Sequence, residues 1–387
     1  MAGHATYDAV VIGAGIAGAS VAAELAREMR VLLVEAEDQP GYHATGRSAA
    51  ILAQTYGSEV IRALTAASAG FLAAPPDGFA DAPLLTPRGL AIVADAAQVD
   101  ALRAGFEAGA EGDYMDWQTP GELEARIPLL RPGYAAGGLY NAAARDIDVH
   151  GLLSGYLRLL RRRGGTLRTA TRVHRLTRRG TGWEIAAEDD ILHAGLVVNA
   201  AGAWADGVGA LAHAQPQRLE PMRRSAITFA PPAGVDPGML PMVVDADERF
   251  YLKPEAGRLM ASPADETVSA PCDSRPEEID IAICIDRITR AFDLQVSRVL
   301  SSWSGLRTFV PDRAPICGFD PAQVGFFWLA GQGGYGVQTA PAMARLAASM
   351  IRGEAPDKEI TASGLKLDDI APGRFAPGQN NDTMGEK

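Results

Sequence analysis

The first residues of the chain alternate between apolar blocks and glycine-marked breaks. Tyr7–Ile12 (YDAVVI) is a continuous apolar run ending at Gly13, as expected of a strand buried on both faces. An Ala-rich helical pattern then covers Ile16–Arg27, and Val31–Glu35 (VLLVE) supplies a second buried strand. Strand, helix and strand make a βαβ unit, whose crossover is right-handed. A small-residue stretch from Gly41 to Gly57 interrupts this rhythm before a helix over Glu59–Leu72 and a Pro-rich break over Ala73–Asp81.

Between Leu84 and Tyr140 short strand-like pieces mix with helical patterns at Ala96–Ala108 and Pro120–Ile127. The nucleotide-binding rhythm resumes with a helix over Asp148–Arg163, N-capped by Asp148 and stopped by Gly164-Gly165. Strands follow near Val173, at Trp183–Ala187 and at Leu196–Asn199. From Arg218 to Phe309 the pattern reads as antiparallel sheet with one helix at Asp286–Phe292. A strand (Gly325–Ala330), a glycine loop (Gln332–Gly336) and a helix (Gln338–Arg352) close the ordered part.

The fold expected is α/β: a Rossmann-like, glutathione-reductase-type dinucleotide domain with a second α+β domain on a mainly antiparallel sheet. Both are discontinuous. Residues 1–84, 145–217 and 311–370 form the first, residues 85–144 and 218–310 the second, and 371–387 a polar mobile tail.

Composition narrows the function classes. With 387 residues, 47% of them hydrophobic, the chain can bury two cores. A net charge of −11 argues against nucleic acid, and the Arg161–Arg163 and Arg178-Arg179 runs read as solvated ends. Three cysteines suit neither a zinc site nor a disulfide framework. With no signal-peptide pattern and no apolar run reaching the ~18 residues of a membrane span, a cytoplasmic protein without a transmembrane segment is expected.

Gly13-Ala14-Gly15-Ile16-Ala17-Gly18 carries the first chemistry. The first glycine turns the chain out of the strand, the second lets a pyrophosphate approach, and the third packs helix on strand. The anion then meets free N–H groups at a helix N-terminus. Glu35, ending the second strand, is placed to accept from ribose hydroxyls. The run His43, Ala44, Thr45, Gly46, Arg47, Ser48, Ala49, Ala50 is spaced to line a pyrophosphate and a flat ring. The strand end Val198-Asn199-Ala200-Ala201-Gly202-Ala203-Trp204 admits a cofactor close to its backbone. Gly331-Gln332-Gly333-Gly334-Tyr335-Gly336-Val337-Gln338-Thr339 is a third strand, loop and helix start, suited to negative charge on a reduced flavin. Together these point to FAD rather than NAD.

The chain resembles the D-amino-acid oxidase-like flavoproteins, the superfamily of glycine oxidase, sarcosine oxidase and D-amino-acid dehydrogenases. The runs VIGAGIAGAS (11–20), QPGYHATGRSAA (39–50), IRALTAAS (61–68), VNAAGAW (198–204), RRSAITFAPP (223–232), FYLKP (250–254), WSGLRTFV (303–310) and QGGYGVQT (332–339) carry the likeness. Within the superfamily these runs are most like those of the bacterial D-arginine dehydrogenases. The resemblance implies a carboxylate clamp at Arg224 and Arg307, phenols of Tyr56 and Tyr251 over the substrate, and Gly334 and Gln338 beside its amine and the flavin. It also implies cofactor contacts from Ala36, Val173 and Gly305. Unaided, the arginines would read as ion-pair residues and the tyrosines as strand-edge aromatics. His43 reads as a packing or FAD contact rather than a base.

Two departures bear on the substrate. Leu90 stands where the arginine-specific pattern has a glutamate, and Ile51 where it has a histidine. A cationic side chain would lack a partner against them, so apolar or neutral D-amino acids are expected to be preferred. Gly305 stands at the position of the flavin-tethering cysteine of sarcosine oxidases, so FAD is expected to be non-covalent. The implied reaction passes hydride from Cα to flavin N5 and releases an imino acid that hydrolyses to a 2-oxo acid and ammonia. The electrons then go to a quinone, an electron carrier or O2. Oxidation of a 2-hydroxy acid or an N-methyl amino acid, and a non-catalytic flavin-binding module, remain as alternatives.

Overall fold

The computed structural model describes residues 6–109 and 114–375. The strand Thr6–Ile12 is the hub of one sheet, paired in parallel with Val31–Val34 on one side and Asp190–Asn199 on the other. Thr166–Arg168 extends the sheet beyond Val31–Val34, and Phe326–Ala330 runs parallel to the end of Asp190–Asn199. Every residue of Val31–Val34 and Phe326–Ala330 is buried, as continuous apolar runs between covering layers require.

The helices Ile16–Leu25, Val149–Arg162 and Gly336–Arg352 pack together on one face, burying Leu25, Leu33, Tyr156 and Leu346 in the largest core. The other face carries a second core around Trp183 and Trp328. Asp148 accepts from the Gly151 N–H at 2.8 Å, which is the N-cap its sequence position suggests.

The second sheet has nine strands, among them Glu220–Phe229, Tyr251–Glu255 and Leu90–Ala94. All its pairings are antiparallel except Met242–Asp245 with Leu90–Ala94. The α/β architecture with a mainly antiparallel second sheet therefore holds. One helix differs in length: Glu278–Ala291 starts eight residues before the position its apolar pattern suggests, with Glu277 and Asp280 forming its capping box.

The terminal segment expected to be mobile falls largely on residues 376–387, outside the described residues. Within the described part, Arg374 pairs with Asp312 and donates to the Ala371 and Ala314 carbonyls, so residues 371–375 are held on the body. Among the described residues no helix is long and apolar enough to cross a membrane.

Candidate active site

A cavity of about 530 Å³ lies where the Gly13 turn, the 41–48 loop, the Ala200–Trp204 strand end and the Gly331–Val337 loop converge. Gly13 adopts φ +100°, and a Cβ there would sit 2.5 Å from the Ala200 carbonyl oxygen. Gly18 does not border the cavity; a Cβ there would collide with the Gly13 carbonyl, the packing duty expected of the third glycine. Gly15, Ile16 and Ala17, at the N-terminus of the first helix, line the cavity. The Ile16 N–H donates to Thr45 Oγ1 at 3.0 Å, which ties the 41–48 loop to that terminus. Glu35 accepts from the Ala14 and Glu37 N–H groups at 2.7 and 3.0 Å, holding a carboxylate at the end of the second strand. A glycine turn, a helix N-terminus and an acidic strand end fit a dinucleotide such as FAD.

Most residues expected to touch the cofactor line this cavity. They include Ala36, His43, Ala44, Thr45, Arg47, Ser48, Val173, Ala200, Ala201, Gly202, Trp204, Gly305, Gly333, Gly334, Gly336 and Val337. Gly46, Ala49, Ala50, Tyr335, Gln338 and Thr339 do not. Gly46 closes a turn onto the Gly41 carbonyl, Ala49 and Ala50 pack in apolar clusters, and Thr339 bonds the Tyr335 carbonyl. The Arg47 guanidinium is engaged by protein, donating to Asp273, Ser274 O and Ser304 O, so it braces a loop across the cavity wall. Cys272 and Ser274 on that loop, with Glu37, Thr171, Arg172 and His174, also line the cavity. No motif marks these six positions, because a loop joins the wall only through long-range contact.

The strand pair Glu220–Phe229 and Ser301–Phe309 builds one wall of the cavity. Its register sets Met222 opposite Arg307, Arg224 opposite Gly305 and Ala226 opposite Trp303. Residues two apart share a face, so Arg224 and Arg307 project to the same side. Both line the cavity with Tyr251 and Gly305, where a Cβ would meet Arg47 Cβ at 3.4 Å. Arg223 faces the other way, to Glu277 and Asp280. Arg224 is 7% exposed. Burial, then the positive charge of Arg307, lowers its pKa from the usual value. For Arg307, burial is opposed and outweighed by Tyr56, Tyr251 and Tyr335, and its pKa is raised. Both remain cations, since a guanidinium titrates far above neutrality.

The Tyr56 phenol lies beside the Arg307 guanidinium, with its ring centroid 5.1 Å from that of Tyr335. Burial and Glu248 raise the Tyr56 phenol pKa, and burial and Tyr56 raise that of Tyr335. Beside this charged end sits a small apolar cluster of Ile51, Leu90, Ala226, Met242, Tyr251 and Met260, with Tyr56 and Trp303 against it; Ala226 and Tyr251 line the cavity, whereas Ile51, Leu90 and Tyr56, expected at the substrate, lie behind its wall. Met242 and Met260 join it only through the sheet. Gln338 is 3% exposed, with neither amide atom hydrogen-bonded among the described residues.

A dinucleotide turn, a glycine-lined cavity and a pair of cations on its wall define a flavin-dependent oxidoreductase. The chain belongs to the DAO family of FAD-dependent oxidoreductases, whose model matches residues 8–350. It is 23% identical over 376 residues to glycine oxidase of Geobacillus kaustophilus (strain HTA426), covering 89% of this chain and 93% of that protein. The crystal structure of glycine oxidase from Geobacillus kaustophilus superposes with a TM-score of 0.79 at 23% identity, covering 91% of this chain and 96% of that one. L-proline dehydrogenase from P. horikoshii gives a TM-score of 0.79 at 21% identity over 96% and 98%. Human mitochondrial dimethylglycine dehydrogenase is 26% identical over 259 residues, covering 61% of this chain but only 30% of that enzyme's length.

Proposed function

We propose that this chain oxidises small D-amino acids with apolar or neutral side chains, using non-covalent FAD. The observation that carries this reading is the pair of a buried Arg224 and a half-buried Arg307 on one face of a strand ribbon, bordered by an apolar cluster. Two guanidinium groups suit a carboxylate, which takes forked, charge-assisted bonds. The apolar cluster reaches the cavity through Ala226 and Tyr251, with Leu90 and Ile51 in the layer behind, a setting that favours an aliphatic side chain over a cationic one. Two relatives, glycine oxidase and dimethylglycine dehydrogenase, are named for amino-acid substrates, in keeping with this reading. The D configuration rests on the likeness of the sequence runs.

Bound FAD supplies the two-electron acceptor for the Cα hydride. The protein's part is to bind and orient. Arg307, beside Tyr56, and Arg224 fix the carboxylate, so that Cα has one orientation; such positioning contributes up to roughly 7–11 kcal/mol to barrier lowering. Tyr56 and Tyr335, with raised pKa values, stay protonated and serve as hydrogen-bond donors rather than bases. The reactive amine must therefore arrive neutral, and its lone pair drives the hydride out. The released imino acid hydrolyses to a 2-oxo acid and ammonia, and a quinone, an electron carrier or O2 takes up the electron pair.

Anaerobic mixing of the FAD-loaded protein with D-Leu, D-Met, D-Phe, D-Arg, sarcosine, dimethylglycine and D-lactate tests this. Bleaching of the flavin by the apolar D-amino acids ahead of D-Arg is the expected result. Faster bleaching by sarcosine or dimethylglycine would favour the N-methyl reading, which the dimethylglycine dehydrogenase match supports. Faster bleaching by D-lactate would favour a 2-hydroxy acid. Absence of bleaching by every compound would leave a flavin-binding module.

A further inference from the structure

The Arg224 guanidinium has two neighbours that the reaction itself does not call for. Its Nε donates to the Asp265 carbonyl at 2.8 Å and its Nη2 to Glu266 Oε1 at 3.0 Å. These bonds take one edge of a rigid, planar fork. Among the described residues Nη1 has no protein partner, so the terminal edge is left for a ligand. Glu266 Oε1 also accepts from Arg313 Nη2 at 2.7 Å, and the Arg313 guanidinium lies 3.8 Å from the Phe309 ring centroid. Phe309 in turn fills the space where a Gly333 side chain would be.

The segment delivering Glu266 is itself pinned. Ala264 takes a left-handed φ of +52°, with its N–H donated to Ser262 Oγ at 3.0 Å. The Asp265 carboxylate then accepts from the Ser225 N–H at 2.6 Å and from its hydroxyl at 2.9 Å, on the residue next to Arg224.

We propose that Glu266, held by Arg313, is a positioning residue for the substrate clamp, fixing Arg224 so that its terminal edge meets the substrate carboxylate. The inference rests on the reading of Arg224 as a carboxylate ligand. The positioning role competes with a simpler one. Glu266 is an anion close to where the substrate's own anion would bind, and Coulomb repulsion opposes ligand binding. A counter-ion that merely neutralises Arg224 would therefore bind ligand more tightly once removed. A positioning residue would bind ligand more weakly. The two roles have opposite signs.

The probe is acetate, titrated into the FAD-loaded protein and followed by calorimetry and by the flavin spectrum. Glu266→Gln is expected to weaken acetate binding about 10-fold, and Glu266→Asp to recover part of the loss. In an Arg224→Met background Glu266→Gln is expected to change nothing further, because contacting residues acting through one group are not additive. Unchanged or tighter binding by Glu266→Gln would overturn the proposal, as would an equal loss in the Arg224→Met background. Should Glu266→Gln fail to fold, Arg313→Met keeps the carboxylate but loosens it and is expected to show the same sign. A wild-type protein that binds no acetate would remove both the clamp and this inference. One that binds acetate but is bleached by no amino acid would remove only the proposed reaction.

Discussion

Gly334 offers a direct test of how tightly the clamp is held. A Cβ at this position would lie 2.7 Å from Arg307 Nη1 and 2.8 Å from Cζ. Ordinary contact begins near 3.4 Å, so Gly334→Ala requires a displacement of about 0.7 Å. Gly334 has no left-handed φ, so the backbone tolerates alanine and the guanidinium must move. Arg307 is half-buried, with the Tyr56, Tyr251 and Tyr335 phenols around its guanidinium. Overpacking of this kind costs about 1–3 kcal/mol of stability, and a misplacement near 1 Å costs about 10²-fold in rate. Gly334→Ala should therefore lower kcat/KM for an apolar D-amino acid by about 10²-fold while FAD content is retained. Gly105→Ala, in a helix where a Cβ meets nothing within 4 Å, is the control and should retain full activity. Stopped-flow flavin reduction across a substrate series gives both constants. A kcat/KM within about threefold of wild type would refute the view that Arg307 sits in a rigid, oriented clamp.

Other perturbations follow from the same geometry. Arg224→Met should raise KM by about 10-fold or more, since hydrogen bonds to charged groups contribute about 1.5–3 kcal/mol each; unchanged KM would remove Arg224 from the clamp. Leu90→Glu places a carboxylate in the apolar cluster and should shift kcat/KM toward D-Arg by at least about 10-fold at a stability cost of a few kcal/mol. An unchanged D-Arg to D-Leu ratio would show that the side chain points elsewhere. With the Tyr56 and Tyr335 phenols held up, kcat/KM should rise with pH along the substrate ammonium titration and then level off. A substrate with a more acidic ammonium should move that limb by the same amount, and a limb that stays put would require an enzymic base. For Glu266, burial opposes ionisation, but the Arg313 bond and the charges of Arg313, Arg224 and Arg307 together lower its pKa. A depressed carboxylate pKa stabilises the fold above its unfolded value, and that contribution disappears as pH falls through the folded one. Melting temperature should therefore fall with acid less steeply for Glu266→Gln than for wild type.

The sequence alone determined the dinucleotide half of this protein, because its signals are local. A buried strand, a glycine turn and a helix start lie within Tyr7–Ile16, and Glu35 follows at the end of the next strand, so short-range backbone rules suffice. The same locality exposed the Asp148 cap, whereas the start of the Glu278–Ala291 helix was hidden by its charged first turn. The substrate end was legible only through family likeness. Arg223 and Arg224 are indistinguishable by composition, and strand register sends one to Glu277 and Asp280 and the other to the cavity. Tertiary structure also decided that Arg47 braces Asp273, that Met242 and Met260 join Leu90, and that Glu266 reaches Arg224 from 42 residues away. The reason is physical: side-chain direction in a strand has a period of two, and which face meets which neighbour is fixed by pairing partners that no nearby residue encodes.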